Sequence, residues 1–185
     1  MPNIVTHIVF AREMIRDVLE PRALSIVEKD QQLFEVGSNG PDYLFFHDTT
    51  PRHVMKKSKI RQVGTFCHRR DVNAFYQDAI ATIRNEKDES IAQDEIIYVM
   101  GHLCHWALDS VAHPYIFYRT GSGDKQSQFR HHRIESLIDA AILKIKHNQT
   151  IEEFKAYEIC NVSMEQARAI TRIYHSAAKN VYGID

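Results

Sequence analysis

Apolar residues return at three- and four-residue steps along most of this chain, and that rhythm commits it to helices. In the first segment Ile4, Ile8, Ala11, Met14, Ile15 and Val18 keep the spacing until Pro21, which ends the helix. A shorter helix is expected over Ala23 to Lys29. Residues 36–64 break the rhythm: four Gly or Pro fall between Gly37 and Pro51, and a basic run, KKSK, follows. This stretch reads as a long, partly irregular excursion, the kind of loop that carries function in a compact domain. Further helices are expected near Cys67–Asn85 and Ile91–Ala112, separated by the charged break NEKDES. The second of these should stop at His113-Pro114, because the residue before proline is pushed out of the α region. The polar loop RTGSGDKQSQ leads into a helix near Phe129–His147. A last helix near Ser163–Tyr182 starts with Ser163 as N-cap and Gln166 at the capping-box position.

With only 7 Gly and 5 Pro in 185 residues, a fold built from many tight β-turns is excluded. No internal repeat, low-complexity tract or linker divides the chain. The expectation is one all-α domain over residues 1–185, a helical bundle of five to seven helices.

Charge excludes other classes. Acidic and basic residues number 24 and 23, a net charge of -1, so no bulk attraction to nucleic acid or to an anionic membrane is expected. Cys67, Cys104 and Cys160 are an odd set without CxxC spacing, which gives neither a disulfide framework nor a thiolate zinc motif. No apolar run reaches the about 18 residues of a membrane span. The opening residues, MPNIVTHIVFAREMIRD, do not form a secretory leader, and a cytoplasmic location is the simplest expectation. No pattern speaks to the oligomeric state.

Histidine is the outlier, with 11 residues. Neutral imidazole is the commonest metal ligand and also titrates near neutrality. In GHLCHWALDSVAHPYIF, His105, Asp109 and His113 fall within an arc of about 80° on one helix face, and His102 lies inside it. Such a stripe on an otherwise apolar helix is costly unless it finds partners. A divalent cation would serve, and so would a hydrogen-bonded His–Asp network. In FRHHRIESLIDAAI, His131 and Glu135 stand at i,i+4 and can reach one ion; His132, at i,i+3, competes for the role. A solvated pair has the same spacing. His7, Asp42, His47 and His68 are single candidates, whereas His53, His147 and His175 read as structural or solvent-exposed.

Taken in order, THIVF, GPDY, FCHRRD, HWALD, AHP and HHRIE resemble the bacterial zinc-dependent phospholipase C family, whose fold is shared with single-strand-specific nucleases. The resemblance runs from His7 to the final helix. It implies two or three zinc ions. His68, His105 and Asp109 would hold one, with Asp109 bridging to a second bound by His7; His113, His131 and Glu135 would hold the remaining ion. Asp42 matches the family's acidic residue near the attacking water and is the expected catalytic base. The family also uses an N-terminal tryptophan as a ligand beside His7, where this chain reads Met1-Pro2. The step from Asp109 to His113 is shorter than the family's.

Clustered divalent ions suit phosphoester hydrolysis, since one acidifies a bound water while a neighbour neutralises phosphate oxygens. The expected activity is therefore hydrolysis of a phosphodiester, either a small soluble one or a phospholipid headgroup, by a metal-bound water. His and carboxylate ligands fit catalytic zinc, and they fit Fe, Mn or Ni as well. Two alternatives stand beside it: a non-catalytic metal-binding helical module, and a His-Asp-type phosphohydrolase, for which no contiguous His-Asp pair is present. Arg69, Arg70 and KKSK could attract an anionic substrate or form an ordinary solvated surface. Tyr43, Phe45, Phe46 and Phe66 could line the pocket mouth or belong to the core.

Overall fold

A computed structural model describes residues 4–50 and 57–184, and its secondary structure is helical throughout those residues. His53 lies outside them. The order is α1 (Ile4–Asp17), α2 (Pro21–Val27), α3 (Gln31–Ser38), a 3-10 turn (Asp42–Phe46), α4 (Lys59–Arg69), α5 (Val72–Arg84), α6 (Glu89–Thr120), α7 (Lys125–His147), α8 (Ala156–Ile159) and α9 (Met164–Asn180). Polar caps fix most starts. Asp30, Ser58, Asp88, Asp124 and Ser163 accept backbone N–H groups of α3, α4, α6, α7 and α9, and Ser163 with Gln166 forms the expected capping box.

The 32-residue α6 is the rod around which the rest is laid; α1, α3, α5, α7 and α9 all pack on it. Phe34, Phe75, Ile97, Tyr98, Ile173 and Ala177 form the dry centre of this packing. α3 approaches α6 so closely that a Cβ on Gly37 would lie 2.3 Å from the Tyr98 carbonyl oxygen, and one on Gly101 2.1 Å from that of Phe34. Only glycine fits at this crossing.

Two helix limits differ from expectation. The segment Cys67–Asn85 is two helices, α4 and α5. The chain turns at Arg70, which is extended, and Asp71, which adopts a left-handed φ of 50°. His68 therefore sits in the last turn of α4 rather than opening a helix. The second difference is that α6 continues through Pro114 to Thr120. Proline there removes the hydrogen bond to the Ser110 carbonyl, but Ser110 and Pro114 are both exposed, so the loss falls on the solvent side. Beyond it Ile116 and Thr120 are buried, and Arg130 of α7 donates from Nε and Nη2 to the Thr120 carbonyl, closing the helix end. Burial and a borrowed cap outweigh the local bias of the residue before proline.

Candidate metal centre

α4, α6, α7 and the 3-10 turn each send imidazole or carboxylate groups to one cleft of about 1140 Å³, and α1 adds His7 to the same donor cluster. From α6, His105, Asp109 and His113 project on one face, as the i,i+4 spacing requires. His105 Nε2 lies 3.3 Å from Asp109 Oδ2, and His113 Nδ1 lies 3.8 Å from the same oxygen. His7 of α1 stacks on the His105 ring at a centroid distance of 4.4 Å and reaches Asp109 Oδ1 at 3.5 Å. His68 of α4 places Nε2 at 2.9 Å from Asp42 Oδ1, 3.2 Å from His105 Nε2 and 3.9 Å from Asp109 Oδ2. At the far end of the cleft, Glu135 Oε1 stands 2.7 Å from His131 Nε2 and 3.5 Å from His113 Nε2.

These atoms fall into three groups in which each residue offers one donor within 4.8 Å of the others: His7, Asp42 and His105; His68, His105 and Asp109; and His113, His131 and Glu135. The eight residues to which the family resemblance gave a role are all in these groups. His131 and His132 differ in place: the His131 side chain is largely buried beside Glu135, whereas that of His132 is 65% exposed at 3.6 Å from the other oxygen. His113 joins the last group because α6 stays helical through Pro114. Asp42 stands among the imidazoles, where it belongs as much to a ligand set as to the role of a base. His47 is exposed and pairs with Ser58 instead.

The electrostatics suit an added cation. Burial lowers the pKa of His7 to about 4, with partial opposition from Asp42, and lowers that of His105 well below its ordinary value. Both are therefore neutral near pH 7, the form that ligates metal. Burial works against a charge on His68, but the hydrogen bond and field of Asp42 outweigh it and raise the pKa. The His68 Nδ1–H donates to the Gly64 carbonyl at 2.7 Å, which turns Nε2 into the cluster. Burial raises Asp109 to about 6, only partly offset by His113. Among the described residues no hydrogen bond reaches either nitrogen of His7 or either oxygen of Asp109; these atoms meet only ion-pair contacts of 3.3–3.9 Å. Such groups tolerate burial when a divalent cation sits between them. Nitrogen and oxygen donors without thiolate match zinc in an open, reactive setting.

Sequence reasoning missed two supports. Asp139, one turn beyond Glu135 on α7, accepts hydrogen bonds from Val5 N, Thr6 N and Thr6 Oγ1, and so pins the start of the helix that carries His7. The continuing row His131, Glu135, Asp139 was the available signal. Gly40 has φ +51°, and a Cβ there would come within 2.5 Å of the His105 ring. His102, which the sequence placed on the same arc of α6, is buried and stacked on Phe75, with Nδ1 2.8 Å from the Tyr76 hydroxyl. Of the aromatic candidates, Phe45 lines the cleft with Arg69; Phe66 packs on Tyr182 under Arg70, and the Tyr43 hydroxyl pairs with Tyr98.

An all-α protein with an imidazole–carboxylate cluster open to a cleft has the donor set that could hold metal ions. More narrowly, the sequence model of zinc dependent phospholipase C matches residues 6–182, and the chain belongs to that family. Comparison with curated proteins and with solved structures found no match. No helix of the described residues is long and apolar enough to cross a membrane.

Proposed function

We propose that residues 1–185 act as a single domain that hydrolyses phosphodiesters with the help of zinc. The observation that carries this reading is the burial of Asp109, without a hydrogen bond among the described residues, beside His7 and His105, whose imidazoles burial keeps neutral, in an open cleft. His68, His105 and Asp109 would hold one ion, with Asp42 beside His68. His113, His131 and Glu135 would hold another. His7, facing Asp109, offers a place for a third. Bound zinc supplies Lewis acidity, acidifying water and neutralising phosphate oxygens.

The chain's own residues do the rest. Asp42 lines the cleft beside His68, with Oδ1 2.9 Å from Nε2, and is the carboxylate placed to take a proton from the attacking water. Arg69 adds positive charge at the wall, and Phe45, Trp106 and Phe117 give an apolar side against which the ester groups can rest. The cleft favours this reading over a metal module without catalysis, which would close its ion with protein ligands.

The test is elemental analysis of purified protein followed by assays on bis-p-nitrophenyl phosphate and on short-chain phosphatidylcholine. Two or more zinc ions per chain and turnover of a diester are expected. Asp42→Asn should lose at least about tenfold in kcat while most of the metal stays. One tightly held ion with no turnover of either substrate would overturn the proposal.

A further inference from the structure

The C-terminal half of α6 has a second, outward face that adjoins the cleft and shares only Trp106 and Phe117 of its exposed large apolar residues with the cleft wall. Leu103 (44% exposed), Trp106 (44%), Val111 (76%), Tyr115 (58%), Phe117 (46%) and Tyr118 (85%) lie along its outer side. Between Leu103 and Tyr118 the only formally charged residue is Asp109, which is buried in the cluster. The result is an uncharged, aromatic half-cylinder about 22 Å long, far beyond the scattered apolar residues of an ordinary surface.

We propose that this face of α6 docks on the interface of a phospholipid bilayer and delivers headgroups to the cleft. The inference rests on the phosphodiesterase reading for what happens after docking, and on geometry for the docking itself. Trp106, Ser110, Pro114 and Phe117 line the cleft from the same arc, so face and cleft mouth are continuous. Whatever sits on the face must present its own surface to the His and Asp residues. A bilayer presents phosphodiesters there; a second copy of the chain would cap the mouth with folded protein. Trp and Tyr are the side chains that favour the headgroup level, having an apolar body and a polar edge. Because the face is uncharged, docking works by apolar burial rather than by attraction to anionic lipid, in keeping with a net charge of -1.

Trp106 is the only tryptophan, so the protein carries its own reporter at the edge where the face meets the cleft. The experiment uses phosphatidylcholine vesicles with the full chain and with a Val111→Glu, Tyr118→Glu double variant, whose two positions lie outside the cleft. For the unaltered chain, sedimentation with vesicles, a blue shift of Trp106 emission and its quenching by brominated lipid are expected, all insensitive to salt. The double variant should bind vesicles at least about tenfold more weakly while melting normally and turning over bis-p-nitrophenyl phosphate at the original rate. Absence of vesicle binding, or binding that the double variant retains, overturns the proposal. So does a dimer in sedimentation velocity that the double variant dissociates, which would assign the face to a second copy. Vesicle binding that needs the face, with neither headgroup release nor turnover of bis-p-nitrophenyl phosphate, would uphold docking and sink the phosphodiesterase reading, so the two fail separately.

Discussion

Asp109→Asn should shift the stability of stripped and zinc-loaded protein in opposite directions. Burial holds the Asp109 carboxyl at about 6 in the fold against 3.8 in the open chain. An acid whose folded pKa is raised destabilises the fold once it ionises. The cost grows as pH rises from the unfolded to the folded value and is constant above it. A difference of that size corresponds to about 3 kcal/mol near neutral pH. The neutral amide removes this cost but leaves its own polar atoms without partners, so a net gain of about 1–2 kcal/mol is expected in the metal-free protein. For a chain of this length that raises Tm by roughly 2–8 °C. With zinc at a thousand times its Kd the native protein gains about 4 kcal/mol by mass action, and the variant, lacking the central anion, gains far less. Calorimetry of both proteins, with chelator and with excess zinc, should therefore show the two melting temperatures change order. Acidification below the folded pKa should close the gap between the stripped proteins. A stripped variant that melts below the stripped native chain would refute the reasoning, since Asp109 would then already be compensated without a cation.

Elemental analysis should separate the neighbouring histidines: His131→Ala loses about one ion per chain, and His132→Ala, mostly solvated, retains it. Asp139→Ala deprives Val5 N and Thr6 N of their acceptor at the start of α1; a loss of about 2 kcal/mol is expected, a Tm lower by about 4–8 °C in thermal melts. Gly40→Ala combines a positive φ with a collision against the His105 ring, and should cost about 1–3 kcal/mol and reduce zinc content. Gly183→Ala, with a positive φ but open space, is the control that separates collision from backbone strain.

Much of the cluster was legible because helical spacing converts sequence distance into a face. The pairs His105–Asp109 and His131–Glu135 needed only the i,i+4 rule, and the cap at Ser163 needed only its capping partner. What spacing cannot convey is a meeting between elements. Asp42 lies 2.9 Å from His68 although nothing local joins the 3-10 turn to α4, and the order of motifs alone placed both near one centre. The split between α4 and α5 was illegible for another reason: the turn at Arg70 and Asp71 contains neither Gly nor Pro, and Asp71 bears a left-handed φ without announcing it. Asp139 went unread because a carboxylate that caps a distant helix has the same local pattern as one facing water.

Pro114 carries the most consequence. A local rule ends the helix there, and a helix ended at Ala112 would free His113 from its register with Asp109. The lost bond instead falls at exposed Ser110, while buried Ile116 and Thr120 and the Arg130 cap hold the following turns in place. His113 thus keeps its i,i+4 relation to Asp109 and reaches Glu135 across the cleft. The same continuation carries Tyr115, Phe117 and Tyr118 outward beside the cleft mouth. Both the donor group of His113, His131 and Glu135 and the exposed aromatic face therefore depend on two helical turns that the local bias at His113-Pro114 works against, and tertiary burial is what retains them.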